Sequence, residues 1–141
     1  MNIPDSDFFK EILSIFRVEA EEHLTSMTSG LKQLENGTSM SDQKKIMENV
    51  HRAAHSLKGA ARTIGLTDVE PICQSLESTF GRFMRENLSI TNELIELLKK
   101  AIHYLGQLLS SMSDNGKVEG EKSELLRLID EINHQVALMG E

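Results

Sequence analysis

The feature that most constrains the fold of this 141-residue chain is the spacing of its apolar residues. Phe9, Leu13, Phe16, Ala20, Leu24, Met27, Leu31 and Leu34 follow one another at intervals of three or four, the period of one face of an α-helix. At the usual rise this stripe predicts a helix of roughly eight turns. Asp5, Ser6 and Asp7 offer a cap and negative charge at its start, Gly30 is a weak point inside it, and Asn36-Gly37 ends it. Four more stripes follow. Ile46, Val50, Ala53, Leu57, Ala60 and Ile64 predict a second helix, between a cap at Ser41 or Asp42 and a stop at Gly65. Thr67, Asp68, Val69 and Glu70 read as a capping box, with Pro71 tolerable in the first turn. The helix they open carries Val69, Ile72, Cys73, Leu76, Phe80 and Phe83 on one side. Thr91 caps a fourth helix with Leu94, Leu97, Leu98, Ala101, Leu105 and Leu108 inward, and a last one at about 121–139 presents Leu125, Leu128, Ile129, Ile132 and Val136.

No strand-like alternation interrupts these stripes, and the connections are short except for a Ser-, Gly- and Asp/Asn-rich segment at 110–120. The expected architecture is all-α, an antiparallel helical bundle. Residues 1–141 form one domain in this reading, with a core at about 5–112, a linker at 110–120 and the last helix after it. Composition narrows the chemistry. Fifteen basic against 22 acidic residues give a net charge of −7, which argues against a nucleic-acid surface. The single cysteine, Cys73, can form no internal disulfide and lies on an apolar stripe as a core residue. No run is long and apolar enough for a membrane span, and no basic-then-apolar leader opens the chain. The expectation is a soluble cytoplasmic domain with no membrane contact.

The second stripe leaves an outer face that folding does not need. His55 projects opposite the apolar side, and His51, Arg52, Lys58, Gly59 and Arg62 share its direction. A neutral imidazole is a competent nucleophile near neutral pH. For phosphoryl transfer its attacking nitrogen must be exposed, while a partner holds the other nitrogen in the right tautomer. Glu77, flanking the apolar stripe of the next helix, could lean across a helical hairpin to do this. Lys58, one turn from His55, is placed to offset phosphoryl charge, and Gly59 leaves room for a docking partner. Arg52 and Arg62 could steer an acidic partner surface toward His55. The plain alternative is a solvated surface histidine among ordinary surface cations. A zinc pair from His51 and His55 is disfavoured, because no HExxH occurs and the neighbours are cationic. His23, His103 and His134 are scattered and acquire no role.

HRAAHSLKGAARTIGL, followed by Leu76-Glu77, resembles the signature of histidine phosphotransfer (HPt) domains, and more narrowly of the N-terminal P1 domains of CheA chemotaxis histidine kinases. The shared pattern is the H-S-L-K-G core from His55 to Gly59, a small-residue run, Gly65, and Glu77 twenty-two residues after the histidine. The resemblance implies a four-helix HPt core plus a fifth C-terminal helix. It makes His55 the phosphoacceptor at Nε2, with Glu77 bonded to Nδ1, Lys58 assisting the phosphoryl group and Gly59 permitting approach of a partner. Many P1 domains carry a second histidine three residues before the glutamate; here Gln74 occupies that position, on the docking side. No cofactor is implied for the domain itself: ATP and Mg²⁺ act through separate kinase and receiver domains. The implied partners are a histidine kinase catalytic domain and a CheY- or CheB-like response regulator, and the isolated domain is expected to be a monomer. No glycine-rich nucleotide loop is present. A free-standing or hybrid-kinase relay protein is the nearest alternative. A non-catalytic helical adaptor, binding partner helices in a groove, is the rival from another class.

Overall fold

A computed structural model describes residues 6–139 apart from Asn87, with the Ser6 side chain also outside the description. The described residues form five helices: α1 (Ser6–Glu35), α2 (Met40–Thr63), α3 (Glu70–Glu86), α4 (Asn92–Ser110) and α5 (Ser123–Met139). The capping expected from Asp5 lies outside the described residues. Each helix buries most of the stripe that predicts it, with Phe9, Leu24 and Leu97 among the residues only partly covered. Leu13, Phe16, Ala20, Met27, Leu31 and Leu34 of α1 are buried, as are all five residues expected inward on α5. Neighbours follow one another around the bundle as α1, α2, α3, α5, α4 and back to α1. The fifth helix therefore closes the bundle between α3 and α4. Arg82 of α3 donates to the Val136 carbonyl of α5 at 2.9 Å, and Gln135 of α5 reaches Glu93 of α4.

α2 is wedged between α1 and α3, and this widens its buried face. Met47, Ala54 and Ala61 are buried along with Ile46, Val50, Ala53 and Leu57, whereas the expected Ala60 and Ile64 are only partly covered. A helix packed on two sides buries more than one narrow stripe, and alanine lets a neighbouring backbone come close. Gly30 shows the same closeness from α1. A Cβ there would stand 2.4 Å from Val50 Cγ2, a β-branched side chain with little freedom to yield. Helix propensity favours Gly30→Ala by up to ~1 kcal/mol. Overpacking is nevertheless expected to destabilise the variant by about 1–3 kcal/mol; a raised urea midpoint would contradict this.

Helix ends differ from the sequence reading in three places. The α2 cap is Ser39, not Ser41 or Asp42: its side chain accepts from the Asp42 amide at 3.2 Å, which leaves Asp42 in the first turn near the helix's positive end. The capping box at 67–70 does not form as such. Leu66 instead accepts from the amides of Val69 and Glu70, and the Glu70 carboxylate faces Arg62. At the far end of α2, Gly65 has φ +79°. Its amide bonds Arg62 O and that of Leu66 bonds Ala61 O, a Schellman closure that turns the chain back toward α3. Thr91 caps α4 as expected, accepting from the Leu94 amide at 3.1 Å. The segment expected as a linker from 110 begins after Ser110 and folds back on itself. Met112 pairs with Val118 across a turn at Gly116, and Arg17 of α1 donates to Met112 O at 2.8 Å.

Candidate functional site

The short, Gly65-closed connection sets α2 and α3 side by side in one antiparallel register. Moving along α2 from His51 to His55, Lys58 and Arg62, the facing residues of α3 are Gly81, Glu77, Gln74 and Glu70. Steps of four, three and four residues on one helix are matched by equal steps back on the other, so each turn meets a turn. This register puts a carboxylate beside His55.

His55 Nδ1 lies 2.6 Å from Glu77 Oε2. An ionised carboxylate only accepts, so Nδ1 carries the proton, and in the neutral ring Nε2 keeps its lone pair. The His55 side chain is 64% exposed while Glu77 is 13% exposed. The ring is thus anchored at its inner nitrogen and open at the outer one. Lys58 Nζ stands 2.6 Å from the other carboxylate oxygen, Oε1, as an ion pair without hydrogen-bond alignment. It also donates to Gln74 Oε1 at 3.1 Å, and Gln74 in turn donates to Ser78 Oγ at 2.9 Å. Burial alone would raise the Glu77 pKa. The Lys58 ammonium and the His55 N–H outweigh that and hold it below its ordinary 4.5.

The structure thus brings His55, Glu77, Lys58 and Gln74 into one cluster. It turns Lys58 onto the carboxylate rather than onto the open nitrogen of His55. Arg62 sits two rungs away, paired with Glu70 at 2.6 Å. Arg52 lies apart from the cluster, bonded to Asn49 and lining the cleft between α1 and α2. Gly59 is exposed, with nothing within 4 Å of where its Cβ would stand. His51, which sequence reasoning places on this face without a partner, has Nε2 4.0 Å from Glu77 Oε2. Its position one turn before His55 was the signal. Among the described residues no group of three or more His, Cys, Asp or Glu is arranged to hold a metal ion, and no helix is long and apolar enough to cross a membrane.

The antiparallel bundle thus presents on its surface an imidazole tied at Nδ1 and open at Nε2, a nucleophile within reach of other molecules. The chain belongs to the Hpt domain family, whose sequence profile matches residues 11–132. It is 27% identical over 120 residues to the chemotaxis protein CheA of Bacillus subtilis and 29% over 116 to that of Rhizobium meliloti, covering 85% and 82% of this chain. It spans only 17% and 15% of the length of those two relatives. The fold matches the phosphorylated P1 domain of CheA3 from R. sphaeroides, solved in complex with CheY6, with a TM-score of 0.80 at 22% identity. That match covers 92% of this chain and 98% of the other.

Proposed function

We propose that this Hpt domain is a phosphoryl carrier of a chemotaxis-type signalling kinase, with His55 as its acceptor. The carrying observation is the 2.6 Å contact of Nδ1 with Glu77 on a ring whose other nitrogen faces solvent. In the forward step the Nε2 lone pair attacks the γ-phosphorus of ATP bound to a separate kinase domain. The N–P bond forms as the bond to ADP breaks, and Glu77 offsets the positive charge that grows on the ring. In the second step an aspartate of a CheY- or CheB-like receiver attacks the same phosphorus, and the imidazole leaves. Mg²⁺ and ATP belong to the partner domains; this chain supplies the acceptor and its orientation, and it is no enzyme alone. The likeness to CheA proteins and to a P1 domain solved with CheY6 supports this choice of partners. A cytoplasmic monomer suits the role.

The test is incubation with ATP labelled at the γ-phosphate and a CheA-type kinase core. Acid-labile, base-stable label on this chain is the expected result; none, beside a working control acceptor, would refute the reading. Docking adds a second expectation. Gly59→Ala has open space around it and is expected to stabilise the isolated domain by up to ~1 kcal/mol through helix propensity. Gly59→Leu, whose Cβ would meet nothing within 4 Å, is expected to slow transfer about tenfold by holding the partner off. Unchanged transfer with Gly59→Leu would remove Gly59 from the docking surface.

A further inference from the structure

We infer that His51 is a positioning residue for the phosphoacceptor: its ring fills a notch at Gly81 and walls the Glu77 carboxylate away from Arg85. The inference rests on the reading of His55 and Glu77 given above. Gly81 is buried in the interior of α3, where glycine is among the least favourable residues. A Cβ at that point would meet His51 Nε2 at 3.2 Å and Arg85 Nη1 at 2.9 Å. The missing side chain therefore makes room for an imidazole from α2 and a guanidinium from the next turn of α3. His51 Nε2, 4.0 Å from Glu77 Oε2, is too far to be a hydrogen-bond partner. The contact is a ring edge against the carboxylate, on a side chain 26% exposed.

Arg85 gives the wall its purpose. Helical side chains lean toward the N-terminus, and Arg85 already reaches back over Gly81, a turn short of Glu77. Among the described residues it has no carboxylate partner. A guanidinium grips a carboxylate with two parallel hydrogen bonds, so an unopposed Arg85 would compete with His55 for Oε2. The charged groups around His51 are Glu77 and Arg85 from α3; Lys58 and the His55 ring, from its own helix, meet the same carboxylate. The blocking is steric and needs no charge on His51.

The test is nitrogen NMR of imidazole-labelled protein, reading the tautomer of neutral His55. Wild type is expected to hold the Nδ1–H form. His51→Ala should give a mixture of tautomers and lower the phosphorylation rate about tenfold. His51→Ala combined with Arg85→Gln should restore both, because the competitor is gone. His51→Phe, which refills the notch, and Arg85→Gln alone should resemble wild type. Restoration by a change at Arg85 cannot come from repairing a misfolded core. The inference is overturned if His51→Ala leaves the tautomer intact, if Arg85→Gln fails to restore it, if His51→Phe behaves like His51→Ala, or if wild-type His55 lacks the Nδ1–H form. A chain with the expected tautomer pattern that never takes phosphoryl label would refute the proposed function and leave the wall in place.

Discussion

His55→Gln is expected to abolish phosphoryl uptake from a CheA-type kinase core while leaving the bundle folded. The amide has no lone pair that can form a stable bond to phosphorus. Uptake should fall by more than about a thousandfold, as when a covalent nucleophile is removed. The fold should hardly notice. The side chain is 64% exposed and makes one polar contact, to Glu77, and a glutamine N–H can still donate to that carboxylate. Glutamine is also a good helix former, so the urea midpoint should move by less than about 1 kcal/mol in stability terms. The contrast between intact folding and lost labelling carries the result. Label retained on the variant would place the acceptor elsewhere, His51 being the next imidazole on the face. A variant that still supports partner function would favour the adaptor reading, since a helical groove has no need of this one side chain.

Those expectations could be set from sequence because the relevant spacings are local. The α1 stripe and the position of His55 opposite the apolar side of α2 both follow from a 3.6-residue period. Contacts between helices are less legible. Ala54 and Ala61 are small residues that lie off the predicted stripe, and only the sandwiching of α2 between α1 and α3 shows why they are buried. Gly30 reads as a flaw until Val50 is found against it. Ser39 caps α2 because the chain is already extended there, with φ −63° and ψ 158°; Ser41 and Asp42 are equally good cap chemistry at the wrong backbone angles. The segment after Ser110 has a linker's composition, yet Arg17, ninety-five residues away in sequence, ties it down. At the site, the sequence offers three cations on one face without saying which turn inward. The register decides: Lys58 meets Glu77, Arg62 meets Glu70, and Arg52 turns toward α1.

Glu77→Gln is the second large effect expected, and it separates the two things this carboxylate does. For the chemistry, the variant should accept phosphoryl groups about 10²- to 10⁴-fold more slowly than wild type. An amide can either accept from or donate to the ring, so it no longer enforces the Nδ1–H tautomer, and it offers no charge against the developing imidazolium. Lys58 is also left beside a neutral group. For stability, the sign follows from the direction of the pKa. Burial raises the Glu77 value, but Lys58 and His55 together bring it below 4.5 in the folded chain. Its ionised form therefore contributes stability that is complete above the unfolded value. That contribution is lost as the pH falls through the lower folded one. Urea midpoints for wild type should decline over that acid window, and those for Glu77→Gln should start lower at neutral pH and decline less. The two readouts are independent. A variant that labels within about twofold of wild type would show that the carboxylate only braces the hairpin. Matching acid profiles with slow labelling would mean that Glu77 orients His55 without contributing to the bundle's stability.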